Sequence, residues 1–412
     1  MAAIGDLTLL EIQRATFQYF LKEVNPLNGL VRDNTRKDAP SSITAVGLGL
    51  AAYAVGTECG FIARKEAARR TLTTLRFFWS SVQSEERDAT GYKGFYYHFL
   101  DMRTGRRTWR SELSTIDTAF LLAGMLAAAA YFDRENPAES EVRRLTEAMY
   151  RRVDWQWALN GGATVSHGWK PERGFLKYRW DGYNEALLLY ALALGSPTHP
   201  VAEESYRAWS ATYRWRKLYG LEFLYAGPLF VHQLSHIWID FRGIQDEFMR
   251  ARRIDYFENS RRATYAHRRY GIRNPRRFRG YGENCWGITA SDGPGPATLK
   301  IDGVRRRFYA YKARGIPHGP DDGTLAPWAV VASLPFAPEI VLPAIRYMDE
   351  TYPRMMSEYG FKCSFNPTFV SAGKGCWHSK GYYGLDQGPV VLMIENHRTG
   401  LLWRLMRQCP YL

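Results

Sequence analysis

Hydrophobic residues recur at helical spacing through most of this chain, and the helices they predict alternate between two kinds. Ser42 to Val55, Asp117 to Phe132 and Tyr183 to Leu194 are apolar on nearly every side. Arg64 to Trp79 and Glu139 to Val153 keep their charges to one side, and Val201 to Tyr213 is mixed. A helix that is apolar all round has to be buried, and an amphipathic helix covers it with its apolar stripe. Leu7 to Leu21 opens the pattern, which resumes after residue 320 with Leu325 to Leu334, Glu339 to Tyr352 and Gln387 to Glu395. With the shorter segments the count reaches about twelve helices. Alternation of inner and outer helices predicts an all-α fold, a toroid of helical hairpins with its long loops on the active face. Strand-like runs are short: Gly94 to Leu100, Gly174 to Tyr178 and Thr298 to Tyr309. No Pro/Ser/Gly-rich linker divides the chain, so residues 1–412 are read as a single domain.

The stretch from Phe223 to Pro320 breaks this rhythm and is rich in Gly, Pro, Trp and Tyr. Segments of that length inside a domain usually carry function. Aromatic rings with a polar edge, set in polar connections, suit sugar rings. The formal net charge is +14, and residues 261–279 hold eight arginines and no acid. No helix-turn-helix, zinc-finger or RNA-binding signature accompanies that run, so it is read as a solvated helix face followed by an Arg-rich loop, with no nucleic-acid partner. The five cysteines, Cys59, Cys285, Cys363, Cys376 and Cys409, are odd in number and contain no Cys-x-x-Cys, which argues against a disulfide framework or a zinc site. The longest apolar run, Ala119 to Phe132, is too short for a bilayer, and no membrane partner is expected. The first residues lack a basic stretch followed by an apolar core, which predicts a cytoplasmic place for the chain as it stands, or a periplasmic one if a signal was removed.

Two carboxylates stand at helix starts far apart in sequence. Glu185 lies in Trp180-Asp-Gly-Tyr-Asn-Glu-Ala, among aromatics that would disfavour its charged form and let it hold a proton. The alternative is a first-turn glutamate stabilised by the helix dipole, which would lower its pKa. Asp386 precedes Gln387-Gly-Pro389 and an apolar run, as an N-cap would. Asp117 begins an inner helix, where it caps or faces a cavity, and Glu112 lies just before it. Hydrolysis of a glycosidic bond needs two facing acids. His232 and His236 stand four apart, but the metalloprotease glutamate and a third ligand are missing, so no metal is expected. Asp240 and Arg242 are close enough to pair with each other. Nucleophile-elbow, phosphate-loop and dinucleotide signatures are lacking.

Longer motifs go further. Gly227-Pro-Leu-Phe-Val-His-Gln-Leu-Ser-His-Ile-Trp-Ile-Asp-Phe-Arg-Gly243, Asp255-Tyr-Phe-Glu-Asn-Ser-Arg-Arg-Ala-Thr264 and Trp286-Gly-Ile-Thr-Ala-Ser-Asp-Gly-Pro294 occur together. With Tyr183-Asn-Glu-Ala186, Asp322-Gly-Thr-Leu-Ala-Pro327 and Met393-Ile-Glu-Asn396, the chain resembles the bacterial glucoamylase-like domain from Leu9 to Trp403. That group includes the β-1,2-glucanases of glycoside hydrolase family 144 and a domain of cyclic β-1,2-glucan synthases.

The resemblance implies an (α/α)6 toroid and an inverting hydrolase of β-1,2-glucan that uses no metal or organic cofactor. It puts the general acid on Glu185 and the base on Asp386, acting directly or through a substrate hydroxyl, and Asp117, counted with them as catalytic, shares an acidic motif near the site with Glu112. Trp180, Tyr183, Trp238, Trp286, Phe365, Trp377 and Tyr383 would line a sugar groove. Glu112, His236, Arg242 and Asp292 would bind hydroxyls. Endo cleavage is expected; exo release of sophorose, transglycosylation, or sugar binding without turnover are the alternatives.

Overall fold

The computed structural model describes residues 3–371 and 375–412. Its contacts divide into two units. One contains Phe17–Tyr213, Ile237–Ile239 and Tyr383–Leu412; the other contains Met1–Thr16, Arg214–His236 and Asp240–Tyr382.

The first unit is helical. Its principal helices are α1 (Ile43–Glu58), α2 (Arg64–Ser80), α3 (Thr115–Tyr131), α4 (Pro137–Arg152), α5 (Leu187–Leu194) and α6 (Gly384–Arg398). The small residues of α1 let helices meet backbone to backbone. A Cβ on Gly47 would lie 2.4 Å from the Phe120 carbonyl oxygen, and one on Gly124 would lie 2.0 Å from the Gly47 oxygen. On the other side of α1, a Cβ on Gly388 would meet Leu48 at 2.6 Å. Thus α1 and α3 are buried nearly throughout, as their all-round apolar sequences require, and α6 is buried nearly throughout although it carries Asp386, Gln387, Glu395 and Asn396. The amphipathic α2 and α4 are linked by Arg64–Glu139 and Arg76–Glu141 pairs.

Two short strands run directly into inner helices. Ser41–Ser42 leads into α1 and pairs with Phe99–Leu100; Leu113–Ser114 leads into α3 and lies in the middle of a five-stranded antiparallel sheet. Pairing on both sides of Leu113–Ser114 fixes where α3 begins. Several helix starts differ from the sequence expectation, those of α5 and α6 beside the acids among them. α5 begins at Leu187 rather than Tyr183, and α6 begins at Gly384 rather than Gln387.

The second unit is more irregular. Its 18-residue helix Tyr256–Arg273 lies inside the stretch whose composition suggested a long connection. A buried stripe of Tyr256, Ser260, Ala263, His267 and Tyr270 explains it. The predicted strand run Thr298 to Tyr309 forms a hairpin, β1 (Ala297–Ile301) and β2 (Val304–Phe308), turning at Asp302-Gly303. Arg314 and Asp322 form a fully buried bidentate pair at 2.7 and 2.9 Å, and Arg314 also donates to the Ser291 carbonyl at 2.7 Å. Such a pair tolerates burial because its remaining donors are satisfied.

The Arg261–Arg279 run is dispersed in structure. Arg261 and Arg262 pair with Glu258, Arg268 with Glu283 and Arg279 with Asp302; Arg269 and Arg276 donate to backbone carbonyls. Among the described residues no helix is long and apolar enough to cross a membrane, and the five cysteines are free.

Candidate active site

The first turns of α3 and α6 and the turn before α5 carry Asp117, Asp386 and Glu185 of the helical unit. Ser114 caps α3, its hydroxyl accepting from the Asp117 amide at 3.2 Å. Asp117 is therefore in the first turn, not at the cap. Its Oδ1 accepts from Thr44 of α1 at 2.6 Å and its Oδ2 from the Ser114 hydroxyl at 2.5 Å. The close approach of α1 and α3 thus sets the carboxylate by a bond from each helix.

His98 completes this arrangement, and the sequence reading missed it. Its Nδ1 stands 3.0 Å from Glu112 Oε1 and 3.6 Å from Asp117 Oδ2. Its backbone N–H donates to the Glu112 carbonyl at 2.9 Å, and its ring stacks on Phe99 at 3.9 Å. Burial opposes a charge on His98, but Asp117, Glu112 and Asp33 overcome it and raise its pKa to about 9. Burial likewise works against the Glu112 carboxylate, yet the bond from His98 brings its pKa down to about 2. At neutral pH this is an imidazolium between carboxylates. The three side chains lie close enough for a cation site, where a metal would have to displace the proton on His98.

Glu185 lies in the turn before α5. Capping falls to Asn184, whose Oδ1 accepts from the Ala186 amide at 3.0 Å. The Glu185 side chain is mostly covered by protein but keeps some exposure to solvent. Burial first, then the charge of Asp117, pushes its pKa up to about 7 against an opposing backbone hydrogen bond. Desolvation therefore outweighs the helix dipole here.

Asp386 occupies the first turn of α6, with Tyr383 as N-cap, so the expected cap role goes to Tyr383 instead. It is buried, and its backbone N–H donates to the Tyr383 carbonyl at 3.0 Å. The segment Asp33-Asn34 runs alongside: the Gly384 amide donates to the Asp33 carbonyl at 2.8 Å. The charges of Asp33 and Asp386 both bear on the Tyr19 hydroxyl, which donates to the Arg32 carbonyl. Burial raises the pKa of Asp33, as does Asp117, while Asn34 and His98 oppose the rise. A continuous chain of electrostatic neighbours thus runs from Glu185 through Asp117, His98 and Asp33 to Tyr19 and Asp386.

The expected aromatic platforms divide. Trp180 is buried, donating its indole N–H to Thr115 at 3.0 Å and stacking on His167 at 3.8 Å. Tyr183 packs edge-on against Tyr213, and the Arg36 guanidinium lies 5.9 Å from the ring of the buried Tyr383. Trp238, Trp286 and Phe365 are fully buried core side chains that offer no ring face to a sugar. Trp377 is half-buried in a strand pair. His236 is buried, bonded to Ser260 at 2.9 Å and enclosed by Phe241, Phe257 and Phe336. Burial lowers its pKa to about 3. His236 is a packing residue here, and so is His232, whose pKa burial lowers to about 4. Arg242 pairs bidentately with Asp240 at 2.7 and 2.6 Å, the simpler of its expected roles. Asp292 is buried and accepts from Ser379 at 3.1 Å.

The exposed rings of the helical unit are different ones. Trp109 is 63% exposed, Tyr178 61%, and Phe99 bridges Trp109 to His98 with its ring 5.1 Å from the indole. Trp109 and Arg110 both adopt left-handed φ, 55° and 48°, which bulky residues rarely do. A signal for Trp109 was present in the sequence: a tryptophan between arginines in a polar turn has no packing reason to be there.

The Glycoamylase family model, which describes glucoamylase-like proteins, matches residues 177–410. The chain belongs to this family. It is 33% identical to a glucoamylase-like protein of known structure from Bacteroides uniformis, covering 98% of this chain and 95% of that one with a TM-score of 0.86. It is 27% identical to an endo-β-1,2-glucanase from Chitinophaga pinensis solved with sophorotriose and glucose, covering 98% and 96% with a TM-score of 0.83. An exo β-1,2-glucooligosaccharide sophorohydrolase of Parabacteroides distasonis is 29% identical over 97% of this chain. The chain spans 56% of that relative's length. The fold expected from the sequence is the fold these structures share.

Proposed function

We propose that this member of the Glycoamylase family hydrolyses β-1,2-glucan with inversion, using Glu185 as general acid and Asp386 as base. The observation that carries the reading is Glu185: a half-open carboxyl held near pKa 7 by burial and by Asp117, at one end of a line of acids on helix N-termini. A carboxyl with that pKa holds a proton at neutral pH and releases it to a leaving oxygen. Glu185 donates to the glycosidic oxygen as the bond to the anomeric carbon breaks. Water attacks that carbon from the opposite face. Its proton passes to Asp386, directly or across a sugar hydroxyl. Asp117, fixed by Thr44, Ser114 and His98, supplies the negative field that keeps the proton on Glu185 between turnovers.

The substrate comes from the relatives, one an endo-β-1,2-glucanase and one an exo sophorohydrolase. Endo cleavage is the reading favoured here, because the Chitinophaga enzyme matches over nearly the full length of both chains. The sophorohydrolase supports a second reading, exo release of disaccharide. Incubation with linear β-1,2-glucan, starch, laminarin and cellulose, with products sized over time, tests both. A ladder of oligosaccharides from β-1,2-glucan alone fits the endo reading, and sophorose alone from the first time point fits the exo reading. Glucose from starch with β-1,2-glucan untouched overturns the substrate.

A further inference from the structure

The arginines of residues 261–279 are largely spent on protein partners, but a second set of cations is not. It sits on the β1–β2 hairpin of the second unit. Cross-strand pairing puts Lys300 opposite Arg305 and Thr298 opposite Arg307. Directly paired residues share a face of the ladder, and alternate residues of one strand do too. Thr298, Lys300, Arg305 and Arg307 therefore form one face, and all four are exposed. Only part of the other face turns inward: Arg306 and Phe308 are buried, with Arg306 donating to the Arg276 and Arg277 carbonyls at 3.0 Å, while Leu299 and Val304 on that face are exposed.

Beyond the backbone ladder, the side chains of Lys300, Arg305 and Arg307 make no hydrogen bond or ion pair with any described residue; Arg307 only lies over the Tyr309 ring at 5.3 Å. The single acid of the hairpin, Asp302, is taken by Arg279. Like charges directly opposite on a ladder are destabilising, so Lys300 against Arg305 costs stability that nothing in the hairpin returns. Beside this face is a recess of about 670 Å³, lined by Pro296, Ala297, Thr298, Arg305, Arg307 and Phe308. It lies in the size range of ligand sites.

We propose that this face is a docking surface for an acidic saccharide chain. Arg305 and Arg307 are two residues apart on an extended strand, roughly 7 Å. That spacing suits a chain with repeated anionic groups better than one ion. The recess adds apolar edges and a threonine hydroxyl, which suit the C–H faces and hydroxyls of a sugar. Its only aromatic ring, Phe308, is buried, so it offers no stacking surface for the bases of a nucleic acid. A concave face also fits a chain better than a flat lipid surface. This assignment does not depend on which bond the protein cleaves.

The test uses the full chain and a heparin oligosaccharide as the acidic probe, with neutral β-1,2-glucan, duplex DNA and phosphatidylglycerol vesicles alongside. The variant K300Q/R305Q/R307Q removes the face. The variant K65Q/R144Q/R216Q removes the same charge at exposed positions elsewhere. The face variant is expected to bind the heparin oligosaccharide at least about tenfold more weakly, with the salt slope reduced by about two to three. The control variant should stay near wild type. Equal weakening in both variants, or no wild-type binding at low salt, overturns the docking surface. Binding of duplex DNA or vesicles as tight as that of the saccharide, and lost in the same face variant, overturns the choice of partner.

Discussion

Replacing His98 by Asn removes an imidazolium and keeps a polar side chain of similar reach. The folded pKa of His98 is about 9 against 6.5 for a free imidazole. A raised pKa in the folded state stabilises fully below the unfolded pKa and fades as pH rises through the folded one. Integrating that difference gives a contribution of roughly 3 kcal/mol at pH 5 to 7 that is nearly gone by pH 9.5. The partner agrees: Glu112 falls from 4.5 to about 2, a shift of the same size. These are one interaction seen from its two ends, so they are not added. The Glu112 side limits the window below, because its contribution is lost as pH falls from about 4.5 towards 2. Unfolding entropy near 2.1 cal/mol/K per residue makes about 0.9 kcal/mol/K for the whole chain, so about 3 kcal/mol is roughly 3–4 °C in Tm. The assay is thermal or urea unfolding of wild type and H98N at pH 5, 7 and 9.5. The gap should be widest at pH 5 to 7 and nearly closed at pH 9.5. A gap that does not change with pH would mean that His98 acts through its stack on Phe99 alone, and the charged clamp would be wrong. An imidazole 15N spectrum gives an independent check, since both ring nitrogens should be protonated at pH 7.5.

Glu185→Gln should fold normally and lose on the order of a hundredfold to ten-thousandfold in kcat on unactivated β-1,2-glucan, because the amide keeps the shape without the transferable proton. In the wild type, kcat should fall about tenfold per pH unit above the Glu185 pKa of about 7, and a flat profile from pH 6 to 9 would remove Glu185 from the acid role. EDTA should leave turnover unchanged; loss restored by a divalent ion would assign His98, Glu112 and Asp117 to a metal instead. Gly124→Ala should cost several kcal/mol in urea unfolding, because its new Cβ would lie 2.0 Å from the Gly47 oxygen and backbone cannot give way cheaply. In the second unit His232 and His236 are held neutral by burial, with pKa values of about 4 and 3. Their depressed values make stability fall as pH drops below about 6.5, so urea midpoints should decline between pH 6.5 and 4, and replacement of both by Gln in folded protein should flatten that decline.

What the sequence disclosed and what it hid follow the range of the forces involved. The inner helices were legible because burial on all sides leaves no polar face, and α1 and α3 needed only that. Helix starts were less so. Asp386 looked like a cap, but the Asp33-Asn34 segment, 350 residues away, engages Tyr383 and Gly384 and moves the start of α6 upstream. The Tyr256–Arg273 helix was masked by the Gly- and Pro-rich segments around it, although its own buried stripe has helical spacing.

The site shows the same division more sharply. Glu185 could be singled out because its aromatic neighbours are local, and the raised pKa is what such neighbours predict. Among the aromatic residues expected to line a sugar groove, Trp238, Trp286 and Phe365 are core instead, since an aromatic residue in a Gly-rich stretch also serves to fill a core. His98 was out of reach. Its sequence context, Tyr97-His-Phe99, says nothing of Glu112 or Asp117, and its role arises only when the strand pairing of Tyr97 with Leu113 carries His98 alongside Glu112. A charged residue that acts on a neighbour in sequence can be read from the chain. One that acts across a sheet is readable only after the register is known. The H98N titration therefore tests more than one side chain: it asks whether the register of a short, buried strand, by bringing His98 against Glu112, holds a charge on the imidazole.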